Sequence, residues 1–175
     1  DLHVHRQASA WNTHGMQNSF DVVIVGGAVV GSAVAYFLAR DPGFKGRVLL
    51  LDKDLSFRDC ATTRSLASIR HQFSTAENVR ISQFGTQFFR QAARELAVDG
   101  QGPDLAFREA GYLFLATAAG QGTLQANHAV QRAEGADVAL QTVAELAARF
   151  PWLHVDDLVA GSLGLTGEGW IDAHA

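Results

Sequence analysis

The fold of this chain is decided by the stretch Asp21-Val-Val-Ile-Val-Gly-Gly-Ala-Val-Val-Gly-Ser32. Its first half is a short β-branched run, which predicts a buried strand. Small residues and helix formers continue from Ser32 to Arg40 and predict a helix, and the glycines mark a tight turn between the two elements. A strand, a glycine turn and a helix in this order indicate an α/β protein.

A second apolar run, Arg47-Val-Leu-Leu-Leu51, begins after Asp41-Pro-Gly43 has stopped the helix. It predicts a second buried strand that ends at Asp52. Because a strand, a helix and another strand form a βαβ unit, we expect the two strands to lie parallel in a Rossmann-like sheet.

The turn has the spacing of a dinucleotide fingerprint, whose positions are occupied by Gly26, Gly27, Ala28 and Gly31. Its glycines allow a tight turn, a close approach of amides to a pyrophosphate and close packing of the helix. Ala28 replaces the middle glycine, but the helix N-terminus still offers free amides to an anion. Asp52, about 20 residues farther on, can accept hydrogen bonds from a ribose diol. From these residues alone FAD, NAD and a turn that binds nothing all stay open.

Composition narrows the function classes. The chain has 175 residues, 47% of them hydrophobic and 18% charged, with a formal net charge of -4, which excludes disordered, collagen-like and coiled-coil chains. Scattered Lys and Arg give no basic stripe for nucleic acid, and no apolar run reaches the roughly 20 residues of a membrane span.

Cys60 is the single cysteine, so neither an internal disulfide nor a Cys/His zinc cage is predicted, and a reducing compartment is expected. Because His3, His5 and His14 lie in an unpatterned terminus, we predict no metal site.

The middle of the chain predicts a long amphipathic helix. The segment from Lys53 to Phe73 has no clear period and predicts a loop with one helical turn. Ser74-Thr-Ala-Glu77 matches a capping box, and apolar residues then recur at helical spacing to about Ala97. These residues are Ile81, Phe84, Phe88, Ala92 and Leu96. A break at 99–103 is typical of a domain boundary.

The last third predicts an α+β arrangement. Residues 107–115 indicate a hairpin or a long strand, 121–134 a helix, and 138–141 a strand. Thr142-Val-Ala-Glu145 matches a second capping box, and residues 158–171 are Gly-rich and strand-like.

Four stretches together resemble the D-amino-acid-oxidase-like flavoproteins, which include glycine oxidase, sarcosine oxidase and dimethylglycine dehydrogenase. They are residues 21–32, 48–54, 61–71 and 167–172, so the matching stretches span the chain from Phe20 onward. Within that family the chain resembles a branch that contains a mitochondrial FAD-dependent oxidoreductase-domain protein tied to the assembly of a respiratory complex.

The resemblance implies FAD as cofactor. Gly26, Gly27, Ala28 and Gly31 would face the pyrophosphate, Asp52 and Lys53 the adenosine ribose, and Thr62, Thr63 and Ser65 the pyrophosphate and the flavin side. The step Ile69-Arg70-His71 resembles one in sarcosine oxidases, whose arginine holds the substrate carboxylate beside the flavin. Arg70 and His71 are therefore the catalytic candidates, and a guanidinium offers a planar, permanently charged fork for a carboxylate. Both also fit a structural role.

Residues 1–19 have no sustained apolar period and predict a flexible tail. For the rest of the chain, the resemblance implies the N-terminal part of a Rossmann-like FAD-binding domain at 20–98 and part of an α+β substrate-binding domain at 104–175. Family members are considerably longer, and two parallel strands do not complete a Rossmann sheet, so the 175 residues alone are expected to be inactive.

The expected activity is oxidation of the C–N bond of a small amine or amino acid. Oxygen, an electron-transfer flavoprotein or a quinone would reoxidise the flavin, in the cytoplasm or, in a eukaryote, the mitochondrial matrix. One alternative is a non-catalytic flavoprotein that acts as an assembly factor for a respiratory complex. Another is an NAD(P)-dependent dehydrogenase, which the Thr/Ser-rich segment after Asp52 disfavours.

Overall fold

A computed structural model describes residues 19–175 of the chain. Contacts divide the chain into two compact units, of which the first ends at Ser65 and the second runs from Leu66 to Ala175. The predicted flexible tail at 1–19, with its three histidines, lies outside the described residues except for Ser19.

The first unit is the predicted βαβ unit. It contains β1 (Val22–Val25), α1 (Val29–Arg40) and β2 (Val48–Leu51). The strands are parallel, with Val22 opposite Val48 and Val25 opposite Leu51. Thus the two apolar runs pair as the sequence predicts.

The second unit is mixed. Its elements are β3 (Ser68–Ile69), α2 (Ala76–Glu95), β4 (Leu113–Ala116), α3 (Gln121–Ala133), β5 (Val138–Gln141), α4 (Val143–Arg149), β6 (Ala160–Gly164) and β7 (Gly169–Trp170). β4, β6 and β5 form an antiparallel sheet with β6 in the middle, and β3 pairs with β7. Its core contains Val79, Ala136 and Val138, against which Phe73 packs.

One of the two predicted capping boxes forms. At the start of α4, the Glu145 amide donates to the Thr142 hydroxyl at 3.3 Å, and the Thr142 amide donates to the Glu145 carboxylate at 2.7 Å. The box predicted at Ser74 is wrong, because α2 begins at Ala76 after Thr75, which caps it without a side-chain hydrogen bond.

The apolar stripe predicted for α2 coincides with its buried face only in the second half of the helix. Ala92 is buried and Phe88 and Leu96 are half-buried, whereas Ile81 and Phe84 are 66% and 56% exposed. In the first half the buried residues are Val79 and Thr86. The buried face therefore includes a polar residue, Thr86, that the hydrophobic period could not select.

The segment predicted as a hairpin or long strand at 107–115 forms less regular structure. Only Leu113–Ala116 is a strand, and Arg108 makes a single bridge to Trp170. Although contacts divide the chain after Ser65 rather than near 99–103, the assignment of 20–98 and 104–175 to cofactor and substrate domains stays a prediction.

Candidate functional site

The glycine turn brings the end of β1 against the first turn of α1. A Cβ on Gly31 would lie 1.8 Å from the carbonyl oxygen of Gly26 and 3.1 Å from Cγ2 of Ile24, so only glycine fits there. Gly26 has a φ of +100°, which glycine adopts without strain, and its amide donates to the Leu51 carbonyl at 2.8 Å. The first and third glycines thus have the roles that the fingerprint assigns to them.

The N-terminus of α1 provides an anion site. α1 begins directly after Ala28, which caps it without a side-chain hydrogen bond, and its first turn contains no acidic residue. The first amides of an α-helix have no acceptor within the helix, and the helix dipole places partial positive charge there. This geometry fits the pyrophosphate of a dinucleotide.

Asp52 lies at the glycine turn. Its carboxylate accepts hydrogen bonds from the amide of Gly27 at 2.6 Å and from the amide of Asp54 at 2.9 Å. The Asp54 amide, followed by that of Gly27, holds the pKa of Asp52 below its usual value. An ionised carboxylate has about four acceptor sites, so it can still accept from a ribose diol. Lys53 follows it and is exposed.

Two of the hydroxyl groups predicted to contact the cofactor, those of Thr63 and Ser65, make hydrogen bonds within their own loop. The Thr63 hydroxyl lies within hydrogen-bond distance of the carbonyl oxygens of Phe57, Arg58 and Cys60, at 3.1 to 3.2 Å. The Ser65 hydroxyl donates to the Thr62 carbonyl at 2.7 Å. These bonds fix the shape of residues 57–65, and the contacts of Thr62, Thr63 and Ser65 with a cofactor stay predictions.

In the second unit, Arg70 is a cation without a counter-ion in direct contact. Its guanidinium carbon lies 4.7 Å from the ring centroid of Phe73, 5.7 Å from that of Tyr112 and 5.5 Å from that of Phe114. Its Nε is buried without a hydrogen-bond partner, and within residues 19–175 no ion pair includes Arg70. A guanidinium held by aromatic rings and short of acceptors suits a carboxylate.

Arg70 lines a cavity of about 500 Å³. The wall also includes Gln72 and Phe73, residues of β4 and β6 such as Phe114 and Ser162, and one side of α3. This volume is in the range of small-molecule sites.

His71, the other catalytic candidate, is buried and hydrogen-bonded. Its Nε2 lies 2.8 Å from the Thr86 hydroxyl, which itself donates to the Gly167 carbonyl at 3.0 Å. Because the hydroxyl has one hydrogen, His71 is the donor of the first bond, and its Nε2 carries a proton. Burial lowers the pKa of His71. A ring held in this way has a structural role, and a catalytic role for His71 stays a prediction.

Glu168 is a site residue that the sequence analysis did not select. It is 0% exposed. Its Oε1 accepts from the His71 amide at 2.6 Å and its Oε2 from the Gln72 side chain at 2.8 Å. Burial raises the pKa of Glu168, and these two donors oppose that shift. The available signal was a charged residue between Gly167 and Gly169, and its role is to hold the backbone next to Arg70.

Comparison with known proteins identifies the chain. Residues 21–175 match the family described as FAD dependent oxidoreductase. The chain belongs to this family of FAD-dependent oxidoreductases. The expected resemblance, the mixed α/β fold and the FAD cofactor are thereby confirmed, and the glycine turn, the α1 N-terminus and Asp52 fit the adenosine end of FAD.

Relatives within the FAD-dependent oxidoreductases are longer than this chain. It is 40% identical over 171 residues to FAD-dependent oxidoreductase domain-containing protein 1 of Bos taurus, covering 93% of the chain and 35% of that protein. The chain spans about a third of the length of the curated relatives that it matches.

Solved structures of FAD-dependent oxidoreductases share the fold. Glycine oxidase from Geobacillus kaustophilus matches 89% of the chain and 41% of its own, with 25% identity and a TM-score of 0.66. L-alpha-glycerophosphate oxidase from Mycoplasma pneumoniae with FAD bound matches 88% of the chain and 39% of its own, with 19% identity and a TM-score of 0.63. Since one acts on an amino acid and the other on a phosphate ester, the fold alone does not choose the substrate.

Two further observations concern the described residues of this FAD-dependent oxidoreductase. No helix within 19–175 has the length and apolar character needed to cross a membrane. In the same part of the chain, no group of three or more His, Cys, Asp or Glu side chains is arranged to hold a metal ion.

Proposed function

We propose that the full-length protein oxidises the C–N bond of a small amine or amino acid. The observation that carries the proposal is the Arg70 guanidinium, which lines a cavity, contacts three aromatic rings and has a buried Nε without an acceptor. Glu168 interacts with Arg70 only through space, so a substrate carboxylate would give the guanidinium the direct ion pair that it lacks.

Both units contribute residues to the proposed reaction. The glycine turn and Asp52 bind the adenosine end of the cofactor, and Arg70 orients the substrate. The Arg70 backbone is itself held, because the Ser82 hydroxyl donates to its carbonyl and Glu168 accepts from the next amide. When bound, FAD supplies the acceptor for the hydride equivalent that leaves the carbon next to nitrogen.

The acceptor of the electrons and the compartment are also proposals. Oxygen, an electron-transfer flavoprotein or a quinone would reoxidise the flavin. The single cysteine favours a reducing compartment, the cytoplasm or the mitochondrial matrix. We place the activity in the full-length protein and expect none from the 175 residues alone, since Val23, Val25 and Leu51 are exposed on the two-stranded sheet.

The test is anaerobic reduction of the full-length holoprotein by a panel of N-methyl and D-amino acids, followed as loss of flavin absorbance. Arg70→Met is expected to raise the half-saturating concentration of a reducing amino acid about 10- to 100-fold, because a charged hydrogen bond is lost. Arg70→Lys is expected to lie between parent and Arg70→Met, because it keeps the charge but loses the fork.

Arg80→Met is the matched control. Arg80 is also an arginine of the second unit, but it forms an exposed pair with Glu134 at 2.8 Å. It should leave half-saturation unchanged. Failure of every amine to reduce the flavin would refute the reaction, and parent-like half-saturation in Arg70→Met would refute the role of Arg70.

A further inference from the structure

The peptide group that joins Arg70 to His71 is held at both of its polar ends. Glu168 Oε1 accepts a hydrogen bond from the His71 amide at 2.6 Å, and the Ser82 hydroxyl donates to the Arg70 carbonyl. Because a peptide group is planar, it cannot rotate without breaking one of these two hydrogen bonds. The backbone from which the Arg70 side chain extends is therefore fixed.

The second carboxylate oxygen of Glu168 is connected to the aromatic surroundings of Arg70. Glu168 Oε2 accepts from the Gln72 side-chain amide at 2.8 Å, and the same Gln72 Nε2 donates to the Tyr112 carbonyl at 2.8 Å. The centroid of the Tyr112 ring lies 5.7 Å from the guanidinium carbon of Arg70. One carboxylate thus links the backbone next to Arg70 with the backbone of a residue whose ring contacts the guanidinium.

The backbone that carries Glu168 is fixed as well. The Glu168 carbonyl accepts from the Gly111 amide at 2.9 Å. The preceding residue, Gly167, donates its amide to Glu109 at 2.8 Å and accepts at its carbonyl from the Thr86 hydroxyl at 3.0 Å. Since Glu168 is 0% exposed, its side chain contacts no ligand, and any effect on a substrate passes through the residues that it binds.

We propose that Glu168 is a positioning residue for substrate binding: it holds the Arg70–His71 peptide and the Gln72 side chain, and so keeps the Arg70 guanidinium where it can pair with a carboxylate. The inference rests on the proposed function, in which Arg70 receives that carboxylate. It adds that the affinity for the carboxylate depends on the position of a buried side chain that the substrate does not touch.

Gly164 provides a selective way to move this carboxylate without removing its charge. A Cβ on Gly164 would lie 1.7 Å from Glu168 Oε2 and 2.3 Å from its Cδ, and the three nearest atoms all belong to the Glu168 side chain. The φ of Gly164 is not positive, so alanine can adopt the same backbone. Gly164→Ala therefore displaces the Glu168 carboxylate by about 1 Å or more, because non-bonded carbon atoms need roughly 3.5 Å.

Glu168→Gln is the second variant, and it acts in a different way. In either orientation its amide nitrogen faces the His71 amide or the Gln72 amide nitrogen, so one of the two hydrogen bonds is lost. Loss of the negative charge alone would strengthen the binding of an anion at Arg70, since like charges repel. Weaker binding of a carboxylate by Glu168→Gln therefore reports the position of Arg70 rather than the charge of Glu168.

Propionate and propionamide share one heavy-atom framework and differ in charge, so the ratio of their affinities measures the charge-specific contribution of Arg70. Calorimetric titration of the full-length holoprotein gives this ratio, and a general loosening of the fold weakens both probes without changing it. We expect Gly164→Ala and Glu168→Gln each to lower the ratio about threefold or more, as part of a charged hydrogen bond is lost. Gly85→Ala in α2 is the control, because its added Cβ meets only the Phe89 ring at 4.0 Å, and it should keep the parent ratio.

Combination with Arg70→Met shows whether Glu168 acts through Arg70. If it does, Gly164→Ala lowers the ratio in the parent and has no further effect in Arg70→Met. Equal affinity of the parent for the two probes, an unchanged or raised ratio in either variant, or an equal fall in the Arg70→Met background would overturn the inference.

These outcomes are distinguishable from those of the proposed function. Neither probe has an amine on a saturated carbon, so the ratios do not depend on turnover. Failure of every amine to reduce the flavin would refute the proposed reaction, while the expected ratios would still support the role of Glu168. Conversely, amine oxidation could still be observed when the ratios overturn that role.

Discussion

Gly31→Ala in the full-length protein tests the packing on which the cofactor site depends. The added Cβ would lie 1.8 Å from the Gly26 carbonyl oxygen and 2.9 Å from its carbonyl carbon. Both contacts are with backbone, so no side-chain rotation relieves them, and α1 has to move away from β1 by about 1 Å or more. Overpacking of this kind costs about 1 to 3 kcal/mol, and a backbone clash belongs at the upper end of that range.

The same movement takes the first-turn amides of α1 away from the pyrophosphate. We therefore expect Gly31→Ala to lower the thermal midpoint and to lose FAD on gel filtration, measured as the ratio of flavin to protein absorbance. The control is Gly122→Ala in α3, where an added Cβ meets nothing within 4 Å. Because alanine favours a helix over glycine by up to about 1 kcal/mol, that variant should be at least as stable as the parent. A Gly31→Ala protein with parent-like FAD content and midpoint would refute the reasoning.

Two further predictions concern ionisable groups. Asp52→Asn should weaken FAD binding to deflavinated protein about tenfold or more, since a charged acceptor is lost. Calorimetric titration measures this affinity, with Asp54→Asn as the control. Equal affinity for FAD in Asp52→Asn and in the parent would contradict the assignment. Burial lowers the pKa of His71 below 6.5, so its contribution to stability is present above pH 6.5 and is lost as pH falls through the pKa in the fold. His71→Gln should therefore show a smaller fall in thermal midpoint than the parent between about pH 7.5 and 5, and parallel curves would show that His71 does not titrate in this way.

Local sequence predicted the elements that depend on local interactions. The parallel pairing of β1 and β2, the extent of β5 and the capping box at Thr142 all form as predicted. The box at Ser74 does not form. The residues before α2 are instead held by hydrogen bonds to residues that lie far away in the sequence. Glu168 binds the His71 amide, and Gln131 binds the Phe73 carbonyl.

The sequence by itself determined the glycine turn, Asp52 and the α/β class. The backbone geometry of such a turn is possible only with glycine at particular positions, so the spacing of the glycines is enough to recognise it. Only the tertiary structure decided that Arg70 shares a cavity with Gln131 and Ser162, which lie 61 and 92 positions farther along the chain. The tertiary structure also decided that Glu168 is buried and that its carboxylate accepts a hydrogen bond from the His71 amide, 97 positions earlier in the sequence. Hydrophobic periodicity reports which face of a helix or strand is apolar, whereas the pairing of buried polar groups depends on which distant segments the fold brings together.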